Sequence, residues 1–240
     1  MRLLVGKYLS FPRKATDPRA VKVRTVKGTH DEARLPLVLL AVLVLILAAS
    51  GYRPPAGREN WLLEVVPGFL GIGALAIAFP RFPMSRMVYL LVFFHMLLLD
   101  YGGYYTYAAT PIGNYARDLL HLHRNHFDRV GHFALGFVPA IVLREVLLRL
   151  TPLERGRWLS FIVCSIALAI GAFWELLEMW TTFLVAGDVG EAFLGAQGDP
   201  WDTQWDMFWV LVGAVVALLT LAKAHDRSLG ALLEKPAVRR

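Results

Sequence analysis

Six long apolar runs, separated by short polar stretches, organise the chain: residues 35–50, 61–79, 87–107, 132–150, 158–185 and 207–224. None alternates apolar and polar residues with the period of two that a half-buried strand requires. Most are near or above the roughly 20 residues that a helix needs to cross a bilayer core. The first is short, at 16 residues, and carries Pro36 in the first turn, where proline is tolerated. In hydrocarbon a helix satisfies all its backbone hydrogen bonds within its own segment, so runs of this length predict helices. The pattern therefore predicts an all-α, polytopic membrane helix bundle with six transmembrane helices. It divides the chain into a basic segment at 1–34, a transmembrane domain at 35–224 and a tail at 225–240, with 108–130 and 186–205 as loops on the outer side. No internal repeat, low-complexity tract or soluble domain is visible.

Composition supports this division. The 240 residues are 56% hydrophobic and 18% charged, with a mean hydropathy of +0.49. Soluble domains sit at roughly 45–50% apolar and about 25% charged. The single cysteine, Cys164, excludes an internal disulfide framework and multi-cysteine zinc patterns.

A net charge of +6 and a pI near 9.6 raise the question of nucleic-acid binding, which the positions of the charges answer. With the N-terminus inside, 20 of the 25 basic residues fall on the cytoplasmic side, and Arg53, Arg58, Arg117, Arg124 and Arg129 fall outside. The loop at 186–206 holds Asp188, Glu191, Asp199, Asp202 and Asp206 and no Lys or Arg. This asymmetry predicts both termini in the cytoplasm of a bacterial inner-membrane protein. The basic excess is a topology signal, and no basic face interleaved with aromatics accompanies it, so the expected partners are membrane lipids and nucleic acid is excluded. Ala48-Ala49-Ser50 follows the first run as a cleavage site would. The basic region before that run is 34 residues long, far more than signal peptides carry, so the first helix is expected to be retained.

Ionisable residues inside spans are costly, face protein or a cavity, and mark functional sites. In this topology Glu64, His95, Asp100, Asp128, His132, Glu175, Glu178, Asp202 and Asp206 all fall towards the outer ends of five helices, with His95 the deepest. Glu175 lies 17 residues beyond Trp158, about 25 Å along a helix. Gly171, Glu175, Glu178 and Thr182 share one helix face, as do Asp202, Asp206 and Gly213, and as do His132, Gly136 and Pro139. His95 and Asp100 stand about 140° apart on a helical wheel and cannot both point at one centre. A bland alternative exists for Asp202 and Asp206, since acids are favourable at a helix start.

The segment at 114–127 is too polar to span and places Tyr115, Leu119 and Leu122 on one side, predicting a short interfacial helix. His121, His123 and His126 match no zinc spacing and read as surface histidines. Trp61, Tyr101, Tyr104, Tyr105, Trp180, Trp201 and Trp205 are expected as an aromatic belt at the outer boundary. Arg144 and Glu145 sit deep in the fourth run, and adjacent helical positions do not face each other, so each needs another partner.

Three stretches carry a resemblance. Phe127-Asp128-Arg129-Val130-Gly131-His132-Phe133 with Arg144-Glu145, then Trp174-Glu175-Leu176-Leu177-Glu178, then the run at 193–207 ending Gly198-Asp199-Pro200-Trp201-Asp202-Thr203-Gln204-Trp205-Asp206-Met207, resemble the YjdF family of bacterial inner-membrane proteins. The likeness covers nearly all of the chain after the first span. A more distant likeness is to VanZ-like membrane proteins, whose pattern is D-[KR]-x-x-H-F, E-x-x-Q and D-x-x-x-D-x-x-x-N-x-x-G. Asp128, His132-Phe133, Glu175, Asp202, Asp206 and Gly213 fill it; Glu178 replaces the Gln and Val210 the Asn. That likeness implies lipid head-group or phosphodiester exchange at the membrane surface.

The expectation is thus an enzyme, a lipid head-group transferase or hydrolase acting at the outer face. Its catalytic set is His132, Asp128, Glu175 and Asp206. His132 acts as base or nucleophile, held by Asp128 or Glu175; Asp206 joins Glu178 and Asp202 in binding a divalent cation such as Mg²⁺ or Mn²⁺ or in positioning the head group. A small-cation or proton-coupled transporter and a non-catalytic membrane scaffold stand as alternatives. A polar path running inward from Glu175 to Arg144 would favour the transporter. An internally paired cluster without a cavity would favour the scaffold.

Overall fold

A computed structural model describes residues 28–184 and 196–234. The acids Asp188 and Glu191, residues 193–195 of the long motif, and the basic residues of 1–27 and 235–240 lie outside the described residues. Among the described residues every regular element is helical. In chain order they are α1 (His30–Ser50), α2 (Arg58–Ala78), α3 (Arg86–Tyr105), a 3₁₀ turn (Tyr107–Ala109), α4 (Pro111–Leu119), α5 (Phe127–Leu150), α6 (Arg157–Leu184) and α7 (Asp202–Leu233).

Local signals set several of these limits. Thr29 accepts from the Glu32 N–H and Glu32 reaches back to the Thr29 N–H, a capping box that starts α1 five residues before the apolar run. α7 continues past Ala224 to Leu233, so His225 and Asp226 lie within a helix packed on the bundle. α4 is a short helix of nine residues, with Ile112, Tyr115 and Leu119 exposed on it, and the chain beyond Leu120 turns away from helix.

Among the described residues five helices, α1, α2, α3, α6 and α7, are long and apolar enough to cross a membrane. α5 is the exception among the six expected spans. It carries Asp128, Arg129, Arg144, Glu145 and Arg149, and ten of its 24 residues are buried. Charged groups on such a helix are tolerated because neighbouring helices enclose and pair them.

Contacts along the helices give their directions. His132 meets Asp206, Gly136 meets Val210 and Arg144 meets His225, so α5 and α7 run parallel. α3 runs antiparallel to both α2 and α5, since Asp100 meets Trp61 while Ser85 meets Glu145 and Tyr101 meets Phe127. Small residues bring α5 and α7 together: a Cβ at Gly136 would collide with the Val210 carbonyl, and one at Gly213 with the Phe133 carbonyl. Val88, Ala140, Ile141, Leu159, Val163, Ala167, Ala214 and Ala217 form a buried apolar core. It separates two polar centres, one near His132 and one near Glu145.

Candidate functional site

The start of α5 is fastened from several sides. Asn125 is buried; its Oδ1 accepts the Phe127 N–H at 2.9 Å, and its Nδ2 donates to the Thr110 carbonyl and to Asn114 Oδ1. Its backbone N–H donates to Gln197 Oε1 at 3.2 Å, and Gln197 Nε2 returns a bond to the Asn125 carbonyl at 2.8 Å. Gln197 and Gly198 both take positive φ, +46° and +82°, a turn for which glycine at the second position carries no steric penalty. Arg124 donates to Asp202 Oδ1 at 2.6 Å and Arg129 to Asp199 Oδ2 at 2.8 Å. The long motif is therefore a clasp that locks the start of α7 against the start of α5. His126, within this clasp, is held below its ordinary pKa by burial first, then by Arg129 and Arg124.

One turn into each helix, the clasp brings the expected residues together around His132, which is 4% exposed. Its Nδ1 lies 3.3 Å from the Asp128 backbone carbonyl, 3.3 Å from Asp128 Oδ1 and 3.5 Å from Asp206 Oδ1. Its Nε2 lies 2.9 Å from Glu175 Oε1. That short approach is off the hydrogen-bond line, and His132 Nε2, Glu175 Oε1 and Asp206 Oδ1 are all buried without a hydrogen-bond partner. Glu178, one turn beyond Glu175, accepts from Trp174 Nε1 at 2.6 Å. Two groups here have the spacing to hold a metal ion: Asp128, His132 and Asp206, and His132, Glu175 and Glu178.

A cavity of about 610 Å³ runs from this cluster between α2, α3, α5 and α6. At its polar end stand Glu64, Tyr107, Asp128, His132 and Glu178; along the rest are Gly68, Gly71, Leu75, Met96, Leu99, Leu135, Leu143, Phe173 and Leu177. His95 lies deeper on the same wall, its Nε2 buried without a hydrogen-bond partner. The space is amphiphilic, with polar groups at one end and hydrocarbon walls beyond.

Other expected residues take structural positions. Asp202 is bound to Arg124 at 2.6 Å and belongs to neither ligand group. Asp100 accepts from Trp61 Nε1 at 2.8 Å and from the Ser50 hydroxyl at 2.6 Å, tying α1, α2 and α3. Trp61 is thereby buried and is a structural donor, in contrast to the exposed Trp180, Trp201 and Trp205 of the expected belt. His121 and His123 are exposed and join no ligand group among the described residues. Val210, fully buried, packs on Gly136 and Gly171.

A second polar centre surrounds Arg144 and Glu145 and supplies the partners that the sequence does not name. Glu145, with no exposed surface, accepts from the Ser85 N–H at 2.9 Å and Arg149 at 2.8 Å through one oxygen, and meets His225 Nε2 at 3.0 Å through the other. His225 Nδ1 lies 2.7 Å from Arg144, which also pairs with Asp226 at 2.8 Å. Arginine only donates, so Nδ1 accepts and the ring proton sits on Nε2, facing Glu145. Arg144 and Glu145 thus share the partner that adjacent positions could not give each other. His225 went unnoticed because it follows the last apolar run, where a histidine reads as tail.

These features define a multi-pass helical membrane protein with a buried imidazole–carboxylate centre at one end of its bundle. A family described as "Predicted membrane protein (DUF2238)" matches residues 35–227, and the chain belongs to that family. It is 41% identical over 197 residues to "Inner membrane protein YjdF" of Escherichia coli (strain K12), an alignment covering 81% of this chain and 93% of that relative. No solved structure matches. The protein is a multi-pass inner-membrane protein of the YjdF type.

Proposed function

We propose that this protein modifies or transfers the head group of a lipid or lipid-linked carrier at the outer face of the inner membrane. The observation that carries this reading is the amphiphilic cavity. Its volume, about 610 Å³, lies within the roughly 300–1,000 Å³ of small-molecule sites, and its apolar length suits an acyl or prenyl chain. A chain lying along Leu99, Leu135 and Leu143 would carry its head group to Glu64, Asp128, His132 and Glu178. Glu175 lies against His132 Nε2 and Asp206 against Nδ1, on opposite edges of the ring. Activation of the attacking hydroxyl or water is assigned to this His132 centre. The distribution of basic residues supports the outer location, since in that topology the His132 end lies opposite the Lys- and Arg-rich face.

The transporter reading is weaker. Between Glu175 and Arg144 the described residues of the core and of the inner cavity wall are apolar apart from His95, so they offer no continuous polar path for a cation or proton. Whole-cell lipid analysis tests the proposal. Overproduced wild-type protein is expected to shift one class of head group, and His132→Ala and Asp206→Asn, accumulating to the same level, are expected to abolish the shift. A lipid profile unchanged by overproduction and by deletion would reject it.

A further inference from the structure

We infer that His132 Nε2, Glu175 and Glu178 form a binding site for one divalent transition-metal ion, of the Mn²⁺ or Zn²⁺ class, at the polar end of the cavity. This deepens the head-group reading and alters it at one point, since a nitrogen that binds an ion does not also act as base.

The first support is geometric. His132 Nε2 and Glu175 Oε1 lie 2.9 Å apart, both buried and both outside hydrogen-bond geometry. Two polar atoms at that separation without a bond between them are poorly arranged as a pair, yet well arranged as neighbours on an ion. Metal–ligand bonds of roughly 2.0–2.2 Å at right-angled to tetrahedral positions set two ligands about 3.0–3.4 Å apart, with the oxygen off the nitrogen's lone-pair axis. Glu178 completes the group, with one atom from each of the three residues within 4.8 Å of the others.

The other ring nitrogen completes the pattern. Metal-bound histidines generally direct their second N–H to a backbone carbonyl or carboxylate. His132 Nδ1 has the Asp128 carbonyl at 3.3 Å, with the Asp128 and Asp206 carboxylates at 3.3 and 3.5 Å. These fix the tautomer that leaves Nε2 as a ligand.

Charge supplies an independent argument. Glu64, Asp128, Glu175, Glu178 and Asp206 are all buried around a single imidazole. The nearby Arg124 and Arg129 pair with Asp202 and Asp199 in the clasp. A phosphate would be repelled from such a cluster; a divalent cation both relieves the carboxylates and attracts the anion. One imidazole with two carboxylates suits Mn²⁺ or Zn²⁺ better than Mg²⁺, which favours oxygen and water. His132 and Glu178 line the cavity, so the ion would keep open positions facing a head group.

The test uses the purified full-length protein in detergent, stripped with a chelator and dialysed against Mn²⁺ or Zn²⁺. About one ion per chain is expected, with at least tenfold weaker binding in His132→Ala and in Glu175→Gln/Glu178→Gln. His121→Ala/His123→Ala, which removes exposed imidazoles, is expected to retain the ion. Pulsed electron paramagnetic resonance of the Mn²⁺-loaded wild type should show coupling to an imidazole nitrogen, a readout independent of how the variants fold. Absence of stoichiometric binding by monodisperse wild type, retention of the ion by Glu175→Gln/Glu178→Gln, or preference for Mg²⁺ without nitrogen coupling would each overturn the inference. The measurement contains no lipid. Its failure would leave the head-group reading standing with His132 as base, whereas an ion bound in a protein that changes no lipid would remove the head-group reading alone.

Discussion

Glu145 and His225, 80 residues apart in the chain, meet at 3.0 Å in the centre of a fully enclosed network that also holds Arg144 and Arg149. This network and the His132 centre lie at opposite ends of the same parallel pair, α5 and α7, with an apolar core between them. At the first end charged groups of opposite sign pair with one another. At the second, His132 Nε2, Glu175 Oε1 and Asp206 Oδ1 are buried without a hydrogen-bond partner.

Glu145→Ala is therefore expected to be among the most damaging single changes in the protein. It removes the carboxylate that pairs with Arg149 and with His225, and truncating one side of a buried ion pair costs about 3–5 kcal/mol. Thermal unfolding in detergent should show a large loss of stability. His225→Gln, which keeps a donor towards Glu145, should lose less. A melting temperature unchanged by Glu145→Ala would mean that the network does not hold the helices together.

Two glycine substitutions should diverge. Gly136→Ala drives a methyl into the Val210 carbonyl of α7, and overpacking of a tight contact costs about 1–3 kcal/mol. Gly73→Ala meets nothing within 4 Å and replaces a glycine inside α2, so it should be neutral or stabilising by up to about 1 kcal/mol. Parallel melting curves check the contrast, and equal effects would contradict the close approach of α5 and α7.

Gly71 lies at the edge of the cavity with no atom within 4 Å of a built Cβ. Gly71→Phe should narrow the cavity while leaving His132 and its acids untouched. The expected result is a protein of wild-type stability whose effect on membrane lipids falls by tenfold or more. Full lipid activity in this variant would show that the substrate chain does not lie there.

Trp61→Phe keeps an aromatic ring, loses some buried volume and removes the donor to Asp100, leaving that buried carboxylate with Ser50 alone. A lost bond to a buried charged acceptor costs about 1–3 kcal/mol. The loss should appear in unfolding, with lipid activity per folded molecule retained. An activity loss without a stability loss would assign Asp100 to the site.

Much of the architecture was legible because bilayer burial writes itself into composition. Runs of some 20 apolar residues can only be helices in hydrocarbon. The acids and the histidine that meet at one end were found from depth and helical spacing, since alternating helices bring those depths to one side. His132, Asp128, Glu175, Glu178 and Asp206 do come together. Asp202 shares a face with Asp206 yet turns to Arg124, and no spacing rule reveals a partner 78 residues away.

The sequence by itself determined that this is a helical membrane protein, where its polar residues lie along each helix, and the family motifs that hold them. Only the tertiary structure decided which of those residues face one another. It set the parallel contact of α5 with α7, the clasp at Gln197, the enclosed partner of Glu145 and the cavity leading to His132. The physical reason is range. Hydrophobic segmentation and helical periodicity are properties of neighbouring residues, whereas the rotation of one helix against another is fixed by steric fit between distant glycines and by pairing of buried charges, which no local pattern encodes.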